Sequence, residues 1–135
     1  MGKVESMRER ALQSRDAIEL LSDKWRVAVL HVLTPGPLRA NQLQSAIDLV
    51  SPKMLTQTLR GLERDGLVIR HVRNTVPAHV EYSLTSMGTS VLPLLRNLCH
   101  WAKQHSRERD EARRTFDHAT DGRRKTGSRK SSSGN

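Results

Sequence analysis

Lys53, Thr56, Gln57 and Arg60 lie within the stretch Ser51-Pro-Lys-Met-Leu-Thr-Gln-Thr-Leu-Arg-Gly-Leu-Glu-Arg-Asp-Gly66. Their side chains could do recognition chemistry. The carboxamide of Gln57 can pair bidentately with N6 and N7 of adenine, and Thr56 can offer a methyl to thymine or a hydroxyl to a base edge or phosphate. Lys53 and Arg60 suit phosphate oxygens, and Arg60 also fits guanine. Arg64, one turn further on, is a weaker candidate. On any one of these residues alone, the reading competes with that of a polar side chain on an ordinary surface helix.

The same stretch is built to be a helix. Ser51 is a good N-cap and Pro52 suits the first turn. Leu55, Leu59 and Leu62 recur at helical spacing, and Asp65-Gly66 ends the element. The polar residues therefore share the face opposite the leucines. The first-turn N–H groups next to Ser51 are also placed to meet a phosphate.

Earlier segments read as further helices. Residues 14–22 hold Ala17, Ile18, Leu20 and Leu21 with the apolar side inward, and Asp23 caps a helix over 24–34 with Trp25, Val29, Leu30 and Leu33 as core bulk. Pro35-Gly-Pro37 ends it. After a short extended piece at Leu38, a helix over 40–48 leads through Leu49-Val50 to Ser51, a helix-turn-helix pattern. Arg39, Asn41 and Gln42 open that helix, where backbone phosphates are commonly met, with Arg39 the leading phosphate ligand.

Behind Gly66, residues 67–73 and 79–84 are strand-like, with a turn at Asn74-Thr-Val-Pro-Ala78. Arg73 and His79 flank this turn and could enter a minor groove or clamp a phosphate. Histidine at such a place is more often a neutral surface residue. Glu81 should face away from phosphate and fix the hairpin, and Tyr82 is a packing residue. Thr85 caps a long helix over 86–105 carrying Val91, Leu94, Leu95, Leu98 and Trp101 on one side. These elements sort the chain into an N-terminal arm (1–13), a winged helix-turn-helix domain with a C-terminal helix (14–106), and a basic tail (107–135).

Composition sharpens the choice. The chain has 135 residues and a formal net charge of +9, enough for one domain with a core and suited to an anionic partner. From Arg107 onward nine Lys/Arg face five acids, so this segment carries +4 and the first 106 residues carry +5. Residues 118–135 have almost no aliphatic content, and the tail is expected to be largely disordered. Arg123-Arg-Lys125 and Arg129-Lys130 serve there either as a phosphate tether or as a solvated terminus.

No apolar run is long enough for a bilayer and no signal peptide is visible, so a soluble cytoplasmic protein without a membrane role is expected. The lone cysteine, Cys99, provides no disulfide framework and fits a reducing compartment. The histidines at 31, 71, 79, 100, 105 and 118 show no i, i+4 pair, and no phosphate loop or nucleophile elbow occurs. Neither a metal, a cofactor nor enzymatic activity is expected.

At this point a resemblance becomes specific. The blocks Ala17-Ile-Glu-Leu-Leu-Ser-Asp-Lys-Trp25, Gly36-Pro-Leu-Arg39 with Asn41-Gln-Leu43, Ser51-Pro-Lys-Met-Leu-Thr-Gln-Thr-Leu-Arg60, Leu62-Glu-Arg-Asp-Gly-Leu-Val68 and Val80-Glu-Tyr-Ser-Leu-Thr85 occur in order. Together they resemble the HxlR-type bacterial winged-helix transcription regulators; the MarR and PadR families match less well. The resemblance implies a DNA-binding homodimer whose first and last helices form the contact. Several members sense oxidants through a cysteine early in the first helix. Leu12 stands at that position here, so this property does not carry over.

The fold expected is mainly α with a small β-hairpin, a winged helix-turn-helix with N- and C-terminal dimerisation helices. Leu94, Leu95, Leu98 and Trp101, completed by Leu12 and Ile18, could form the dimer seam or pack within one chain. The expected function is that of a homodimeric regulator reading double-stranded DNA at a two-fold operator, a repressor where the operator overlaps a promoter. Arg39, Asn41, Ser51, Lys53, Thr56, Gln57, Arg60 and Arg73 would be the contacts. The competing reading is a non-specific architectural nucleic-acid binder. No effector can be named.

Overall fold

A computed structural model describes residues 2–21 and 23–127. In chain order the elements are α1 (Gly2–Glu19), α2 (Lys24–Val32), β1 (Leu38–Arg39), α3 (Ala40–Ala46), α4 (Pro52–Arg64), β2 (Val68–Arg73), β3 (His79–Leu84), α5 (Ser86–Gln104) and α6 (Ser106–Gly127). Contacts divide the chain into two units, one up to Leu95 and one from Arg96 onward.

The first unit holds the helix-turn-helix and its wing. Val29, Leu30 and Leu33 from α2 and its C-terminal end, Leu43 from α3, Leu55, Leu59 and Leu62 from α4, and Leu92 and Leu95 from α5 form one buried cluster, joined by Val68 of β2. Asp23 caps α2 by accepting the Trp25 N–H at 2.9 Å, and Ser51 caps α4 by accepting the Met54 N–H at 3.1 Å. α3 stops short of Asp48 because Ile47 already leaves helical geometry at φ −101°, ψ 89°, and Leu49 then takes a positive φ of 71°, a left-handed turn that aims the chain into α4. Gly66, at φ 75°, does the same after α4, where a side chain would be strained.

The sheet has the order β1-β3-β2 and is antiparallel throughout. Leu38 and Arg39 lie opposite Tyr82 and Glu81, so the short extended piece at Leu38 is a true third strand. Across β2 and β3, Arg70 is opposite Tyr82, His71 opposite Glu81, and Arg73 opposite His79. Thr85 joins three elements: its hydroxyl donates to the Gly66 carbonyl at 2.6 Å and accepts the Gly88 N–H at 3.0 Å.

The structure departs from expectation at both ends. Residues 1–13 were expected to be an arm, yet α1 runs from Gly2 to Glu19 and buries no residue. Met, Arg, Glu, Ala, Leu and Gln dominate this stretch, and all of them favour helix. The apolar side of α1 is not turned inward: Ile18 and Leu12 are exposed. The tail reading is likewise corrected for residues 107–127, which are helical in α6. Lack of apolar content prevents burial but not helix formation, and Ala, Arg and Glu sustain α6 without it. In the second unit, Arg109 donates to the Ala102 carbonyl at 2.8 Å and His105 meets Glu108 at 3.1 Å across the α5–α6 junction. Residues 128–135, including Arg129 and Lys130, lie outside the described residues.

Candidate nucleic-acid interface

Burial splits α4 into two faces. Leu55, Thr58, Leu59 and Leu62 are buried, while Lys53, Gln57, Arg60 and Arg64 are exposed. The exposed residues follow i, i+4, i+7, i+11 spacing, so two guanidiniums, an ammonium and a carboxamide form one outward stripe. Thr58, the buried polar residue, satisfies its hydroxyl by donating to the Met54 carbonyl at 2.8 Å. Thr56 is exposed beside the stripe and donates to the Pro52 carbonyl at 2.9 Å, which leaves its methyl and its acceptor lone pairs for a ligand.

The far end of α4 is held by a contact that sequence reading missed. Arg26 of α2 donates to the Asp65 carboxylate at 2.7 Å and to the Leu20 carbonyl at 3.2 Å. Its guanidinium lies against Gly61, where an added Cβ would come within 2.4 Å of it. The partners are 39 residues apart, and only the folded chain brings them together.

Other expected contacts fall around the stripe. Asn41 and Arg39 are exposed at the start of α3. The Arg39 N–H donates to the Gln42 carboxamide at 2.9 Å, and the Gln42 N–H donates to that of Asn41 at 2.9 Å. The Asn41 oxygen is thus occupied, and its amide N–H groups are what it can offer outward. Ser51 is likewise engaged, as the α4 cap.

On the wing, Glu81 is a hub. It accepts from His79 Nε2 at 2.9 Å and from Arg73 Nε at 3.2 Å, while His79 Nδ1 meets the Thr75 hydroxyl at 3.0 Å. The hydrogen bond from His79 holds the Glu81 carboxyl below its ordinary value; burial opposes this and Arg73 adds to it. Arg73 is therefore a tethered cation and His79 an inward, hydrogen-bonded ring. Arg39 and His71 flank Glu81 on the neighbouring strands.

Arg70 was not singled out from sequence. It is exposed on β2 and, with Tyr82 of β3 and Thr56, Arg60 and Glu63 of α4, lines a cleft of about 420 Å³. Strand alternation could have revealed it, since Arg70 stands two residues from the buried Val68 and so on the α4 side of the sheet.

The expected seam residues separate. Leu94, Leu98 and Trp101 are more than half exposed along α5, as are Leu12 and Ile18 on α1. Leu95 is 2% exposed and belongs to the core of its own chain, which corrects its assignment to a dimer seam. One helical step, 100°, turns it away from Leu94. Cys99 is an exposed free thiol. Among the described residues, no cluster of three or more His, Cys, Asp or Glu is arranged to hold a metal, and no helix is long and apolar enough to cross a membrane.

The sequence model of the HxlR-like helix-turn-helix family matches residues 20–110. The chain belongs to this family. Similar proteins are HTH-type transcriptional regulators, among them YkvN of Bacillus subtilis, 43% identical over 90 residues that span 67% of this chain and 76% of that one. Among solved structures, a MarR-family transcriptional regulator from Enterococcus faecalis V583 superposes with a TM-score of 0.66 at 32% identity, covering 75% of this chain and 92% of that one. The reduced form of the regulator YodB from B. subtilis gives 0.64 at 34% identity, over 68% and 90%. The mostly helical winged fold and the membership in a family of DNA-binding transcription regulators are thus in place. The α6 segment beyond residue 110 lies outside the family match.

Proposed function

We propose that the protein is a homodimeric, sequence-specific regulator that reads a two-fold DNA operator, with α4 of each protomer in a major groove. The outward stripe of Lys53, Gln57, Arg60 and Arg64 on a helix anchored by four buried residues carries this reading. A rigid helix of 13 residues presenting a carboxamide between cations has the shape and the donors for base edges and flanking phosphates. Gln57 is assigned base reading, with Thr56 beside it. Lys53, Arg60, the first turn of α4 after Ser51, Arg39 and Asn41 are assigned the backbone, and Arg73 the contact of the wing.

Dimerisation rests on the apolar residues left open on two helices: Leu94, Leu98 and Trp101 on α5, and Leu12 and Ile18 on α1. Exposed apolar residues in such rows fit a self-complementary contact. Repression follows where the operator overlaps a promoter.

The test is binding to the region upstream of the protein's own gene, titrated against random duplex at two salt concentrations. A complex about a hundredfold or more tighter than that with random DNA supports operator reading. Equal affinity for both duplexes, collapsing steeply with salt, would replace it with non-specific architectural binding. Sedimentation of the protein alone checks the dimer, and Leu98→Glu should leave a folded monomer.

A further inference from the structure

The cleft between α4 and the wing has a composition that its packing role does not explain. Arg60 comes from α4 and Arg70 from β2, so two guanidiniums on separate elements line one opening with Tyr82, the chain's only tyrosine. Neither arginine forms an ion pair or side-chain hydrogen bond among the described residues, although Glu63 lines the same cleft. By contrast Arg26 and Arg73 are each tied to a carboxylate. Cations left unpaired beside an available carboxylate are free to bind an external anion.

Position and charge narrow the ligand. Arg60 belongs both to the outward stripe of α4 and to the cleft wall, and Thr56 borders the cleft next to Gln57. A second cleft of about 290 Å³ shares Thr56 and Tyr82 and continues past Pro52 to Asn41 and Gln44 of α3. A track therefore runs along α4 from the wing to the start of α3. Two arginines against Glu63 leave the first cleft a net single positive charge. That balances a phosphodiester, which carries one negative charge, better than a phosphate monoester or inorganic phosphate at about −1.5 to −2.

We infer that this cleft seats a backbone phosphodiester of the bound DNA strand, with Arg70 and Tyr82 as positioning residues that set the depth and angle of α4 in the groove. The site rests on the DNA-binding reading proposed above. Arg70 donates from the wing side and Arg60 from the helix side, so one phosphate bridges the two elements. Glu63 limits the cleft to singly charged groups.

The experiment measures affinity of the full chain for random duplex and for its own upstream region at three salt concentrations. Wild type is compared with Arg70→Gln, Tyr82→Phe, Glu63→Gln and Gln57→Ala. Arg70→Gln should weaken binding to both duplexes about five- to tenfold and flatten the log–log salt slope by about 0.9, the share of one phosphate. Tyr82→Phe should weaken both by a smaller factor, and Glu63→Gln should tighten both. Unchanged affinity and slope in Arg70→Gln, beside a Gln57→Ala variant that alters sequence preference, would overturn the cleft while leaving operator reading intact. Failure of wild type to bind either duplex would overturn both. Inorganic phosphate, titrated while the Arg70 Nε resonance is followed, separates the two sources of the anion. No saturable shift is expected; saturation in the low millimolar range that Arg70→Gln abolishes would replace the diester with a free phosphate ligand. Arg70 is exposed, so the variant should keep its fold, which circular dichroism checks.

Discussion

α4 and α6 are both arginine-bearing helices, yet they are helical for different reasons. α4 buries four residues, is capped by Ser51 and is pinned at its far end through Asp65 to Arg26. α6 has 22 residues, and those whose burial is described are all exposed. Charge alone therefore does not make a recognition surface. Base reading needs donors held within a few tenths of an ångström, and only α4 has packing that fixes its outer face. α6 draws on local propensity and buries none of the side chains whose burial is described.

Substitutions can break or sharpen that contrast. Leu62→Ala, in the α4 core, should cost about 2–5 kcal/mol in chemical denaturation, whereas Phe116→Ala on α6 should stay within about 0.5 kcal/mol. If Phe116→Ala destabilised the chain comparably, α6 would have to pack on something. Next, Gln57→Ala should lose about 1–3 kcal/mol of discrimination between operator and single-base variants, measured by competition binding, while Lys53→Ala lowers affinity evenly across sequences. Equal loss on every sequence for both would remove the division between base reading and backbone contact.

The glycines of the two helices make a finer comparison. Gly→Ala within a helix ordinarily gains about 0.5–1 kcal/mol. Gly122→Ala has open space around it and should raise helicity at 222 nm. Gly61→Ala meets the Arg26 guanidinium and must displace it from Asp65, so its stabilisation in chemical denaturation should fall short of that gain.

The smallest effect lies on the wing. Because the Glu81 carboxyl is held below its ordinary value by His79, its folded-state ionisation stabilises the hairpin above the usual carboxylate range. That contribution is lost as pH falls through the lowered value. Wild type and Glu81→Gln should therefore differ in unfolding midpoint at neutral pH and converge once the pH falls below the lowered value. A gap that persisted in acid would assign the difference to packing.

Much of α4 was legible because its determinants are local. A serine cap, a first-turn proline and leucines at 55, 59 and 62 lie within twelve residues of one another and report directly on turn geometry. The wing strands were legible from alternation and from Pro77. The extent of α6 was not, because low hydrophobicity was read as disorder when it speaks only to burial, and the first helix was started too late because no apolar pattern marks residues 2–13. Leu95 was grouped with Leu94 because a stripe read along the sequence does not resolve one step of rotation. Arg70 and Arg26 were missed for a deeper reason. Their roles depend on which neighbour the hairpin or α4 presents, and such tertiary neighbours leave no mark in local spacing.

The seat of Arg26 over Gly61 also bears on how such a chain can change over generations. Alanine at 61 would meet the Arg26 guanidinium, the far end of a flexible side chain, and would push it out of its seat against that helix. Where the arginine is lost its contact with Asp65 goes with it, and alanine at 61 can then add helix propensity without displacing anything, so changes at the two positions should tend to occur together. Positions 26 and 61 are then expected to covary among sequences with this fold, with Asp65 drifting freely wherever the arginine has been lost.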